Sequence, residues 1–187
     1  MAAPATVDEE RALIEAGLAV LRRRGADGCT VVDVLAEAGL STRAFYRHFA
    51  SKDELVLAIY ERESVVTQAR LRQRMDDAGS PRAALGVWID ETLALGFDTR
   101  RAGRTRPLAK EGLRLQAEFP NEFAAIANGV IEPLSAVLAA LGDKHATRDA
   151  RSIHAIVWAL VEEKLAGGDL TRDDAKAHVL RFCKAVA

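Results

Sequence analysis

Apolar residues recur along this chain at every third or fourth position, the spacing that gathers side chains on one face of an α-helix, and no segment sustains the alternation of a strand. Leu13, Ile14, Gly17, Val20 and Leu21 make the first stripe. The helix carrying it is predicted to begin after Thr6, whose hydroxyl with Glu9 fits a capping box, and to end at Arg24 before Gly25 and Gly28. A second, short helix starts at Thr30, placed to cap the amides near Asp33, and turns Val31, Val34, Leu35 and Ala38 inward. It stops at Gly39, a residue free to adopt the left-handed conformation of a sharp helix end. After Leu40, Ser41 opens a third helix, STRAFYRHF, with Phe45 and Phe49 on its inner face and Thr42, Arg43, Tyr46, Arg47 and His48 on the other. Ser51 and Glu54 form a second capping box, ahead of a long helix from Lys52 to about Met75.

Farther along, Ser80 is a cap followed by Pro81 at the first helical position, and the segment it opens carries Leu85, Trp88, Ile89, Leu93 and Phe97. The stretch DTRRAGRTRP then reads as an Arg-rich loop. Residues 108–119 read as a short helix closed by Pro120, and residues 121–141 as a longer one that Pro133 kinks. Two final helices, about 148–166 and 172–186, are separated by Gly167 and Gly168, the second capped by Thr171 with Asp174. The expected total is nine helices and no strand.

Composition agrees with an all-α protein: Ala, Leu, Arg and Glu dominate, Pro is sparse and aromatics reach 5%. A length of 187 residues suits one domain or a small module joined to a larger one, and the punctuation suggests domains of residues 1–50 and 51–187. The formal net charge of -1 provides no global attraction to nucleic acid, so any such affinity must come from charge concentrated locally. Cys29 and Cys183 are far apart and outside any CxxC pair, which suits small buried side chains in a reducing cytosol. The opening MAAPATVDEERA lacks the apolar core of a signal peptide, and no uncharged apolar run reaches the roughly 18 residues of a membrane span. The chain is therefore expected to be soluble and cytoplasmic, with no membrane partner.

Two short helices joined by a tight glycine turn, with a supporting helix before them, make a helix-turn-helix whose second short helix enters a DNA major groove. The chemistry agrees with that geometry. From Ser41 to Lys52 there are Arg43, Arg47, His48 and Lys52 and no carboxylate, a local basic patch in an otherwise neutral chain. Ser41, Thr42, Tyr46 and Thr30 add hydroxyls suited to phosphate oxygens. Arg43, in the first turn, is placed for direct readout, where its fork can bond guanine O6 and N7 for about 1–3 kcal/mol of discrimination. Tyr46, His48 and Lys52 are expected nearer the sugar-phosphate backbone. Taken one at a time, these cations are equally explained as a solvated helix face; the whole pattern with its turn is what points to DNA.

The run TVVDVLAEAGLSTRAFYRHFASKDELVLAIYE resembles the DNA-binding region of TetR-family regulators in its Thr-hydrophobic opening, Ala-Gly turn, Tyr-x-His-Phe close and Ser-Lys-acid cap. The resemblance covers about residues 8–60. It implies that Thr30, Ser41, Thr42, Arg43, Tyr46, His48 and Lys52 touch DNA. Arg43 stands where many members have a small residue such as Gly, and Leu35 where Ala is frequent, so base preference does not transfer. Repression, rather than activation, is implied by the resemblance alone.

The remaining two-thirds is argued from pattern. Ile153, Ile156, Val157, Leu160 and Val161 fill a broad face of the penultimate helix, and Val179 and Phe182 lie on the apolar face of the last. In TetR-like proteins these two helices pack on their symmetry mates, which makes the seven residues a candidate homodimer interface; the alternative is that both stripes face only their own core. Trp88, Leu93, Phe97, Phe119, Phe123, Ile126 and Val130 are candidate walls of a pocket for a small-molecule effector, each also explicable as core. Arg100, Arg101, Arg104 and Arg106 are either recruiters of an anionic group or a solvated loop. No metal site or cofactor is expected, since His145, His154 and His178 have no ligand-like spacing, and no grouping suits catalysis. The expected function is a DNA-binding transcriptional regulator that a small effector releases from a palindromic operator. The alternative is a helical ligand-binding protein or enzyme that keeps the fold without reading DNA.

Overall fold

The computed structural model describes residues 4–25 and 28–186. Among them are nine α-helices and no strand: α1 (Pro4–Arg24), α2 (Val31–Ala38), α3 (Thr42–His48), α4 (Lys52–Asp76), α5 (Pro81–Phe97), α6 (Thr99–Glu118), α7 (Pro120–Ala140), α8 (Ala146–Leu165) and α9 (Arg172–Val186). The all-α expectation therefore holds. The helix ends follow the caps read from the sequence at Thr30, Ser41 and Ser80, each of whose side chains accepts the amide three residues on. Ser51 and Thr171 do the same for Glu54 and Asp174, at 3.1 and 3.2 Å.

Two of these expectations are corrected. Thr6 lies inside α1, which starts at Pro4, and the Glu9 carboxylate is committed to α3 rather than to a cap. The Arg-rich stretch is no loop: α6 begins at Thr99 and runs through Pro107 to Glu118. Asp98 explains the start, because its carboxylate accepts the Arg101 amide at 2.9 Å and its carbonyl the Ala102 amide at 2.8 Å. Burial of Ala102 and Leu108 then offsets the cost of Gly103 and of the amide that Pro107 lacks. By length and composition α7 is long and apolar enough to cross a membrane, at a mean hydropathy of 1.6, although Glu122 and Glu132 break its apolar run.

The chain divides into two compact units, Met1–Ser64 with Pro107–Glu118, and Val65–Arg106 with Phe119–Ala187. The first unit buries Leu13, Val20 and Leu21 of α1, Val34 of α2, Phe45 of α3 with Phe49 at its C-cap, and Leu55 and Ile59 of α4. It also buries Leu115 of α6. These are the inward positions of the amphipathic stripes, and desolvating each large aliphatic or aromatic side chain is worth about 1.5–3 kcal/mol.

In the second unit α5 is the central element, buried on nearly every side, as a helix apolar all round must be. It packs against α7, α8 and α9. Gly96 permits the close approach to α8, since a Cβ there would lie 3.0 Å from the Val161 carbonyl oxygen. Pro133 inside α7 has no amide to offer the carbonyl of Gly129, four residues back; Arg72 supplies the missing donor from Nη2 at 3.1 Å. The Trp88 indole donates to the next carbonyl, Val130, at 2.9 Å.

Four of the seven candidate interface residues, Ile153, Val157, Val161 and Val179, are at most 2% exposed in the single chain. Their stripe turns into the core of the second unit, where α8 packs against α5 and α7. Ile156 and Leu160 are half-buried, and Phe182 is exposed, its ring 5.3 Å from that of His178.

Candidate nucleic-acid interface

The orientation of α3 follows from its sequence. Phe45 and Phe49 are buried against each other with ring centroids 5.8 Å apart, so the opposite face must look outward. Thr42, Arg43, Tyr46 and Arg47 are accordingly exposed, Tyr46 by 60% with the edge of its ring on Phe45.

The turn that presents this face is held at both ends. Gly39 adopts φ 65° and ψ 28°, with its amide bonded to the Leu35 carbonyl, a conformation that costs a residue with a Cβ about 1–2 kcal/mol. Two residues later, Ser41 Oγ accepts the Ala44 amide at 3.2 Å. On the far side of α2, the Thr30 hydroxyl accepts the Asp33 amide at 3.2 Å and donates to its carboxylate at 2.7 Å. That hydroxyl bond, with Arg24 2.6 Å away, holds the Asp33 carboxyl below the usual carboxylate range. The Arg23 guanidinium does the same for Glu37, also at 2.6 Å, so the basic end of α1 is tied to α2 by two exposed ion pairs.

The predicted contact residues separate into groups. Arg43 and Tyr46 point to solvent, and among the described residues Arg43 makes no ion pair. Thr42 is exposed, and so are Thr30 and Ser41, although the hydroxyls of the last two are occupied by caps. Arg47 is 47% exposed, but its Nη1 donates at 2.9 Å to Oε2 of Glu9. His48 is turned inward, its side chain 8% exposed with Nε2 3.3 Å from the same Glu9 oxygen. Lys52 is half-buried at the first position of α4.

Glu9 is a feature of the site that the sequence could not reveal, because it meets Arg47 from 38 positions away along the chain. A second is Arg114 of α6, which grips Asp53 in the first turn of α4 with Nη1 and Nη2 at 2.6 and 2.7 Å. The guanidinium holds the Asp53 carboxyl below its ordinary range. Burial pushes the Cys29 thiol up, which keeps it a neutral packing element ahead of α2.

The candidate effector residues lie in the second unit. Trp88 and Leu93 are fully buried, the former by its bond to Val130. Phe97 is half-buried under the Lys164 ammonium, 5.8 Å from the ring centroid. Phe119, Phe123, Ile126 and Val130 are half-buried along α7, and the Ile126 carbonyl accepts a bond from Gln68 at 3.0 Å. A groove of about 370 Å³ on α7 and α8 has other walls, among them Asn128, Ile131, Ser135, Thr147 and Arg151.

Comparison with known proteins places this arrangement. The family described as "Bacterial regulatory proteins, tetR family" matches residues 13–59. The HTH-type transcriptional regulator CymR of Pseudomonas putida is 32% identical over 120 residues, 57% of this chain and 56% of that protein. The chain thus spans about half the length of the curated relatives it matches. A transcriptional regulator from Saccharomonospora viridis, solved in complex with choline, superposes with a TM-score of 0.74 at 16% identity, covering 95% of this chain and 96% of that one. A TetR transcription regulator from Haloarcula marismortui superposes with a TM-score of 0.73 at 20% identity, covering 96% and 98%. At such identities the likeness is one of fold.

Proposed function

We propose that this chain, which belongs to the tetR family of bacterial regulatory proteins, is a DNA-binding transcriptional regulator whose α3 reads the major groove. The observation that carries the reading is the outward face of α3, with Arg43 and Tyr46 exposed on a helix that follows the Gly39 turn and is capped by Ser41. Arg43 supplies base readout, while Thr30, Ser41, Thr42, Tyr46, Arg47, His48 and Lys52 meet the backbone and set the register. The inward turn of His48 and the Glu9 pairing of Arg47 make their contribution conditional on release of those contacts.

The reading assigns DNA contact to residues 1–50, and effector binding and dimerisation to residues 51–187, in a cytoplasmic protein that acts by binding rather than catalysis. A homodimer gives two α3 helices about 34–36 Å apart, the spacing of successive major grooves on one face of B-DNA. The surface left for such a dimer is Ile156 and Leu160 of α8, with exposed Ala155 and Ala159 beside them in sequence, and Phe182 of α9. A small effector that favours another tilt of the two α3 helices then releases a palindromic operator, with coupling of about 1–3 kcal/mol.

The test is binding to random duplex DNA over a range of salt. Phosphate neutralisation predicts an affinity that falls steeply and linearly on logarithmic axes. A salt-independent or undetectable interaction eliminates the regulator.

A further inference from the structure

Glu91 of α5 is a nearly buried carboxylate, its side chain 9% exposed, on which three arginines converge. Arg101 of α6 donates Nη1 at 2.9 Å to Oε2 and at 3.5 Å to the Glu91 carbonyl. Arg70 of α4 donates Nε to Oε2 at 3.2 Å, and Arg74, one turn on, donates Nη1 to Oε1. All four residues belong to the second unit.

The charges do not balance. Three cations face one anion, an excess of two positive charges at the cluster itself. Asp90 pairs with Lys176 at 2.8 Å and Arg172 at 3.7 Å, whereas Asp98 and Asp77 keep their charge on neutral donors, the Arg101 amide and Gln73. One guanidinium suffices to pair a buried carboxylate. Arg70 and Arg74, four apart on one helix, repel each other, so the arrangement carries a cost that a second anion would remove.

Access and geometry favour such an anion. Arg70 and Arg74 are 56% and 52% exposed, and Arg101 is 23% exposed, so the cluster opens to solvent. Each guanidinium turns one nitrogen to the Glu91 carboxylate, which leaves planar forks suited to bidentate oxyanion contacts.

We propose that Arg70, Arg74 and Arg101, seated on Glu91, form a binding site for the oxyanion group of a small ligand, a carboxylate or a phosphate. Glu91 is its positioning residue: it anchors the three cations and sets how strongly they attract. The inference deepens the regulator reading by giving the effector a negative charge, and rests on that reading for this role alone.

The experiment is calorimetric titration of the purified full chain, without DNA, with sodium phosphate and separately with sodium acetate, at ionic strength matched with sodium chloride. Saturable heat is the readout, since phosphate raises thermal stability of most proteins by exclusion from their surfaces. Saturation by phosphate alone assigns a phosphate, by acetate alone a carboxylate, and by both the shared oxyanion site. Arg70→Ala is expected to weaken binding about tenfold, and Arg74→Ala similarly, the loss of a charge-assisted bond. Both side chains are more than half exposed, so both variants keep the fold. Glu91→Gln, where it folds, is expected to tighten binding by removing the competing carboxylate. Absence of saturable heat with both anions, or unchanged affinity in both arginine variants, overturns the proposal. Neither result bears on duplex binding, whose own failure would leave the anion site standing.

Discussion

Arg114 and Asp53, 61 residues apart in sequence, form a two-pronged ion pair at 2.6 and 2.7 Å that ties the C-terminal part of α6 to the first turn of α4. The arginine also reaches Glu111 at 2.5 Å and Glu118 at 3.6 Å, so one guanidinium serves three carboxylates. Its pKa is raised by these bonds, Asp53 first, while that of Asp53 is lowered.

Arg114→Ala is expected to destabilise the chain by about 1 kcal/mol, toward the upper end for a partly exposed pair because of the bidentate geometry. The sign of its pH dependence follows from Asp53. A carboxylate whose folded pKa lies below its unfolded value of about 3.9 contributes fully above that value, and loses its contribution as pH falls through the folded one. Urea denaturation at pH 7 and near pH 3 checks this. The gap between wild type and variant should be present in full at the first and smaller at the second.

Glu9→Gln removes the carboxylate that occupies Arg47 and His48. The expected outcome is tighter binding to random duplex, with the logarithmic salt slope steeper by about one phosphate. Fluorescence anisotropy at several salt concentrations reads both quantities. An unchanged slope would mean that Arg47 does not reach DNA when freed.

Arg43→Ala and Lys52→Ala should differ in kind. The first is expected to relax base preference at one position, worth about 1–3 kcal/mol. The second weakens all duplexes alike. Sequences selected from sheared genomic DNA by each variant, compared with wild type, separate the two effects.

Gly39→Ala places a Cβ on a backbone at φ 65° and is expected to cost about 1–2 kcal/mol. The loss should appear in thermal unfolding, and because the turn seats α3, duplex affinity should fall with it.

Arg72→Ala leaves the Gly129 carbonyl without the donor that compensates for Pro133, at a cost of about 1–3 kcal/mol. In a Pro133→Ala background the helix amide returns and the same substitution should cost less. A double-mutant cycle measured by denaturation gives the coupling directly, and additivity would show that the two residues do not act on one carbonyl.

Much of this architecture was readable from local chemistry. Thr30, Ser41, Ser51, Ser80 and Thr171 cap helices because a hydroxyl three residues from a free amide needs nothing beyond its own turn. Gly39 ends α2 for the same local reason, and the Phe45 and Phe49 spacing alone decided which face of α3 looks outward. Where position depends on what packs against a segment, the chain's order was silent. Gly103 and Pro107 argued for a loop, yet burial of Ala102 and Leu108 and the pull of Glu91 on Arg101 make a helix. The stripe of Ile153, Val157 and Val161 looked the same whether it faced a partner or its own core, and its burial beside the central α5 emerges only in the folded chain. The pairs Glu9 with Arg47, Asp53 with Arg114 and Glu91 with Arg70 had no local signal, because charges distant along the chain meet only when the folded backbone brings them together.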